Sequence, residues 1–101
     1  GALATQFLEP IQCDKAFVAF SGVDITTGFS VIDFDAAQVK RQMMTRARQV
    51  IAVADSSKIG QTSFARVAGL NEVSTLITDS GIVPEDRYTL EEAGLRIIVA
   101  E

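Results

Sequence analysis

A chain of 101 residues with 48% apolar content is one domain at most and has ample material for a packed core. Its net charge of -4 is the wrong sign for gripping a polyphosphate backbone, so this piece is not expected to hold DNA by itself. The absence of histidine removes Ser-His-Asp and Cys-His nucleophiles and imidazole metal sites, and one cysteine allows neither an internal disulfide nor a structural zinc site; no metal or cofactor is expected.

In chain order, residues 2 to 11 read as the end of a helix, with Leu3, Phe7, Leu8 and Ile11 on related turns and Pro10 near its close. Cys13 is expected to act as a small buried apolar residue. Residues 15 to 20 are continuously apolar after Lys15, which predicts a strand covered on both faces. A loop is expected from Ser21 to about Ile32, carrying Gly22, Asp24 and Gly28.

A helix follows, with Asp35 as cap and Gln38 closing a capping-box-like pair, and with Ala36, Val39, Met43 and Ala47 recurring at spacings of three and four. Met43 and Met44 read as core, and Lys40, Arg41, Arg46 and Arg48 as a solvated basic face. Val50 to Ala54 is a second strand, parallel to the first. Residues 61 to 73 read as irregular, with a short extended piece at Phe64 to Val67. Thr75 to Thr78 is a third strand ending at Asp79. Pro84, Glu85 and Asp86 open a second helix that Gly94 closes, and Leu95 to Ala100 is the last strand.

The pattern predicts an α/β fold, a mostly parallel sheet with crossover helices. Two such helices cannot cover both faces of a four-stranded sheet, so a partner subunit or further sequence should supply the cover. No window reaches the roughly 18 uninterrupted apolar residues of a membrane span, and no basic leader precedes an apolar core, so a cytoplasmic protein without membrane contact is expected.

The chemistry concentrates in Asp55-Ser56-Ser57-Lys58-Ile59-Gly60, directly after the apolar run Val50 to Ala54. Open sheets with helical crossovers bind ligands beyond the carboxyl ends of their strands. There Lys58 can supply charge, Ser56, Ser57 and loop amides can donate to phosphate oxygens, and Asp55 can accept from sugar hydroxyls. Ser21, Gly22 and Asp24 follow the first strand, and Asp79, Ser80 and Gly81 the third, so three polar loops should converge on one edge. Taken singly, the same glycines and aspartates read as turn and cap residues. Aldose-ketose isomerisation would need a carboxylate base and a cation, which Asp24, Asp55 and Lys58 could nominally provide, but nothing in their spacing demands it.

Cys13-Asp14-Lys15-Ala16-Phe17, Ser21-Gly22-Val23-Asp24 with Gly28, Val39-Lys40-Arg41, Ala47-Arg48-Gln49-Val50, Ala54 to Gly60 and Leu76-Ile77-Thr78-Asp79 occur in an order that resembles the C-terminal effector-sensing domain of the DeoR family of bacterial transcriptional repressors. The resemblance runs from about Asp14 to Ala100. Ser21-Gly22-Val23-Asp24 followed by Ile32-Asp33-Phe34-Asp35 is similar, within that family, to the repressors of glycerol-3-phosphate regulons. It implies a partial fold similar to ribose-5-phosphate isomerase and coenzyme A transferases. It also implies a site for a phosphorylated sugar or polyol, formed by Lys58, Ser57, Asp55, Asp24, Gly22, Ser21, Gly60 and Asp79. Ser21 stands where many members carry a carboxylate, which weakens an isomerase function; Ala36, Ala37 and Gln38 occupy a region where another carboxylate is common, a departure that bears on the ligand, for which a small polyol phosphate is the expectation.

The expected role is therefore a regulatory sensor and not an enzyme. Residues 1 to 101 would be the C-terminal part of the sensing domain, with its first half and the DNA-reading helix-turn-helix absent, and the protein a homo-oligomer. The alternatives are an isomerase-like enzyme and a purely structural oligomerisation module.

Overall fold

The computed structural model describes residues 13–101. The helix expected over residues 2 to 11 lies outside the described residues.

Four parallel strands form the main sheet in the order β1 (Cys13–Ala19), β4 (Ala47–Val53), β6 (Thr75–Asp79), β7 (Arg96–Ala100). Helix α1 (Phe34–Thr45) connects β1 to β4, and α2 (Pro84–Glu92) connects β6 to β7. The fold is thus α/β with a parallel sheet and two crossover helices, as the sequence pattern predicts. The expected loop from Ser21 to Ile32 is instead an antiparallel pair, β2 (Gly22–Asp24) and β3 (Gly28–Val31). They join β5 (Ala65–Ala68) in a second, three-stranded sheet of order β2-β3-β5. Strands of three and four residues containing glycine carry little local β signal, and here long-range pairing supplies it, with Phe29 opposite Ala68.

Helix α1 starts earlier than predicted. Asp33, in extended backbone, accepts from the Ala36 amide at 2.7 Å, so Asp33 is the cap and Asp35 sits in the first turn, where its charge meets the positive end of the helix. Ala47, expected in the helix, begins β4, because the last turn closes at Arg46, whose amide donates to Met43. Helix α2 follows prediction, with Pro84 in its first turn, Glu85 and Asp86 beside it, and Gly94 at φ 100° past its end.

The core lies on one side of the main sheet. The register aligns Val18, Ala52, Leu76 and Ile97 across all four strands, and each is buried. Phe29, Val23, Met44 and Leu90 from the second sheet and the helices close over them, and Met43 packs at the margin. The other side reads Phe17, Ile51, Thr75, Arg96 in one row and Ala19, Val53, Ile77, Ile98 in the next. Phe17 is 59% exposed there, and Val53 and Ile98 are exposed too, so β1 is not covered on both faces as its apolar run suggested. Cys13, expected to be buried, is exposed for the same reason: it shares the outward phase of β1 with Phe17.

Candidate functional site

The carboxyl ends of β1, β4 and β6 lie on one edge, and each hands the chain to a polar loop. After β1, the Phe20 amide still donates to Val53 at 3.1 Å, and the Ser21 amide donates to Ser30 at 2.9 Å, so the chain passes at Ser21 from the large sheet into the small one. Gly22 is buried at this crossing. A methyl group on it would lie 2.7 Å from the Gln61 carbonyl and 3.0 Å from the Ser63 nitrogen, so the backbone that approaches Gly22 is the chain's own.

Asp24 ends β2 and folds its own turn. One of its oxygens accepts from the Thr26 and Thr27 amides, both at 2.9 Å, and from the Thr27 hydroxyl at 3.3 Å. The Thr27 amide, then that of Thr26, holds the Asp24 carboxyl below the usual carboxylate range.

Asp55 caps a 3-10 turn, Ser56–Lys58, by accepting from the Ser57 amide at 2.9 Å and from the Ser57 hydroxyl. Those bonds, with a smaller contribution from the nearby Lys58 charge, lower its pKa. Asp79, at the end of β6, accepts from the Ser56 amide at 2.9 Å through one oxygen and from the Gly81 amide at 2.8 Å through the other, and it too is lowered, chiefly by Ser56. The Asp79 carboxylate therefore ties the β4 and β6 loops together. Gly60, at φ 87°, turns the loop back so that its amide meets the Val23 carbonyl at 2.7 Å, and Ile59 bridges to Val23.

Of the candidate residues, Asp55, Ser57, Lys58, Gly60 and Asp79 are thus gathered into one hydrogen-bonded assembly, with Asp24, Gly22 and Ser21 joined to it through β2. One expectation is corrected. The loop amides and the Ser57 hydroxyl are not available to cradle a phosphate, because the amides of Ser56, Ser57, Lys58, Ile59, Gly60 and Gln61 all donate within the chain and the hydroxyl donates to Asp55. The side-chain charge of Lys58 remains, and among the described residues it makes no ion pair within 4.0 Å.

Three residues were missed in the sequence. Asp86 and Thr89 of α2 line a cleft with Val23, Asp24, Ile25, Ile59, Gly60 and Leu90. Asp86 was legible only as a first-turn acid, and its second duty depends on how α2 docks. The Thr78 hydroxyl, buried beside Asp79, has no hydrogen-bond partner among the described residues. The cleft holds 70 Å³, well short of the ~300 Å³ at which small-molecule pockets begin. A larger concavity of 380 Å³, lined by Cys13, Asp14, Thr45, Arg46, Ala47 and Arg48, opens at the amino ends of β1 and β4, the wrong edge for ligand binding in such a sheet.

The basic face of α1 is also engaged with the protein. Lys40 donates to the Ala19 carbonyl at 2.5 Å and lies 5.9 Å from the centre of the Phe20 ring, and burial lowers its pKa. Arg41 pairs with Glu72 at 2.6 Å, and Glu72 in turn accepts from the Gly69 amide. These contacts brace the helix against the crossing at Phe20 and against the approach to β6. Among the described residues, no cluster of acids or cysteine could hold a metal ion, and no helix is long and apolar enough to cross a membrane.

The model of the DeoR C-terminal sensor domain matches residues 1–80, and the chain belongs to that family. Its relatives are regulators of transcription. An uncharacterised HTH-type regulator of Bacillus subtilis, YulB, is 38% identical over 97 residues, covering 96% of this chain and 38% of the relative. The HTH-type regulator GlpR of Haloferax volcanii is 33% identical over 98 residues, 97% of this chain and 38% of its own. The HTH-type repressor GlcR of Bacillus subtilis is 36% identical over 103 residues, all of this chain and 39% of its own. The chain spans less than two-fifths of the length of these relatives.

Proposed function

We propose that this chain is the C-terminal part of the effector-sensing domain of a cytoplasmic, homo-oligomeric transcription regulator that binds a phosphorylated sugar or polyol and is not an enzyme. Lys58 is the anchor for the phosphate, and Ser57, whose amide and hydroxyl both donate to Asp55, fixes the turn that carries it. Asp24 and Asp55 each keep one carboxylate oxygen for ligand hydroxyls, and Ser21, Gly22, Gly60 and Asp79 hold the wall in shape. The observation that carries this reading is Lys58 itself: a cation on a turn that Asp55 and Asp79 fix from two sides, with every neighbouring amide already spent.

Two features support a site completed by sequence beyond these residues. The cleft beside Asp24 holds only 70 Å³, and the outward side of the main sheet exposes Phe17, Val53 and Ile98. The upstream part of a longer chain would supply the opposite wall and the cover, and DNA would be read by a helix-turn-helix of the kind the relatives' names record. Binding then regulates by differential affinity for two conformations of the whole regulator.

The test is calorimetric titration of the full-length protein with a panel of sugar and polyol phosphates and with the same compounds lacking phosphate. Binding of a phosphorylated compound that weakens by more than about tenfold in Lys58→Ala supports the reading, since a charge-assisted contact is worth roughly 1.5–3 kcal/mol. Equal affinity in both proteins removes Lys58 from the site. Turnover of a phosphorylated sugar would overturn the non-enzymatic assignment.

A further inference from the structure

Phe34 and Phe64 are 67 and 73% exposed, an unusual fate for two large apolar side chains standing together, and Ile32, two residues before Phe34, is 70% exposed. Phe34 and Phe64 meet edge to face with ring centres 5.2 Å apart, so they form a ridge joining the start of α1 to the approach to β5. A groove of 320 Å³ runs beside the ridge, walled by Phe34, Ala37, Gln38 and Arg41 of α1 and by Arg66 and Val67 of β5. Its floor is apolar, since Ala37 and Val67 are buried, and its flanks are cationic. Arg41 spends one edge on Glu72 and Arg66 spends its Nε on the Thr27 carbonyl at 2.8 Å, and each guanidinium retains further donors. The ridge carries the opposite charge: Asp33 and Asp35 flank Phe34, and both are exposed.

We propose that this face is a self-complementary dimer surface, on which the acidic aromatic ridge of one copy seats in the arginine-flanked groove of a second copy. The proposal rests on the homo-oligomer reading above and names the surface. Charge complementarity selects the occupant. Acids and arginines lie on the same patch, so a two-fold axis through it brings each ridge onto a groove and forms every contact twice. A basic partner would meet like charge in the groove, and an acidic one would meet like charge on the ridge. Aromatic and arginine side chains are also the groups that carry most of the binding energy at interfaces.

Sedimentation equilibrium over a range of concentrations tests this with the wild-type chain, Phe64→Ser, Asp35→Arg and, as a control on the outward side of the main sheet, Phe17→Ser. Circular dichroism melts establish that each variant is folded, and the exposed Asp35 provides a second probe that does not depend on Phe64. The expected result is a monomer-dimer equilibrium weakened by more than about tenfold in Phe64→Ser and in Asp35→Arg and unchanged in Phe17→Ser. A dimer lost in Phe17→Ser but kept in the other two overturns the surface and leaves the homo-oligomer reading standing. A wild-type chain that stays monomeric at every concentration overturns the surface, and a full-length protein that is monomeric in the same measurement overturns the homo-oligomer reading as well.

Discussion

Gly22→Ala probes the junction on which the candidate site depends. The added methyl carbon would stand 2.7 Å from the Gln61 carbonyl oxygen and 3.0 Å from the Ser63 nitrogen, whereas ordinary contact begins near 3.4 Å. Closer still is the buried Ser30 hydroxyl, which accepts from the Ser63 amide; the other two neighbours are backbone, and neither can swing aside. The Ser63 amide is bonded to the Ser30 hydroxyl at 2.8 Å, and Gly60 two residues before Thr62 is bonded to Val23 at 2.7 Å. The strand and the loop must separate by several tenths of an ångström, which costs about 1–3 kcal/mol as overpacking. Weakening the Ser63 to Ser30 bond adds about 1 kcal/mol. A total near 3 kcal/mol corresponds to a fall in Tm of about 12–24 °C for a domain of this size. Urea unfolding followed by circular dichroism should show a lower midpoint with an unchanged slope. Gly60→Ala is the internal comparison: its methyl group would meet open space, so only the backbone strain of φ 87° remains, about 1–2 kcal/mol. A Gly22→Ala protein within about 0.5 kcal/mol of wild type, or no less stable than Gly60→Ala, would refute the close approach inferred between β2 and the loop.

Acid should loosen the loops. The Asp24 carboxyl is lowered from 3.8 by the Thr27 and Thr26 amides, so the folded state favours its charged form; that stability is fully present above 3.8 and lost as pH falls through the lower folded value. Asp24→Asn should therefore flatten the acid limb of a Tm-against-pH curve, and an unchanged limb would contradict the assignment. Leu76→Ala, fully buried in a central strand, should cost about 3–4 kcal/mol in denaturant midpoint. Lys40→Met removes the donor to the Ala19 carbonyl and should cost roughly 1 kcal/mol, measured in the same way. Phe17→Ser should be nearly neutral in this chain, within about 0.5 kcal/mol. In a longer protein whose upstream sequence covers that side, the same change should cost about 2 kcal/mol or more.

The main sheet was legible because its signals are local. Short apolar runs mark β4, β6 and β7, Pro84 opens α2, and Gly94 closes it, each through backbone chemistry that depends on no distant partner. The gathering of polar loops on one edge followed from parallel strands alone, since strands that point the same way end on the same side. The composition likewise excluded histidine-based catalysis without reference to any fold.

Only the tertiary structure decided what those loops do. Asp55 and Asp79 read singly as turn or cap residues and together as ligand acceptors, and the Ser57 and Ser56 amides at their oxygens show the capping role. Strands β2 and β3 pair with each other locally, but β3 also pairs with β5 across more than thirty intervening residues, and no short window contains that partner. Cys13 and Phe17 are exposed because they lie on the outward phase of β1, an edge strand, whereas Ile51 and Thr75, in the same row as Phe17 on the inner strands, are buried: a fact about neighbours and not about the residues themselves. Lys40 reads as a solvated charge on a helix until the helix is laid across the end of β1, where its ammonium reaches the Ala19 carbonyl. Local chemistry determined which elements form and in what order; the partners of each polar group, and hence the division between scaffold and site, were set by contacts between residues far apart in the chain.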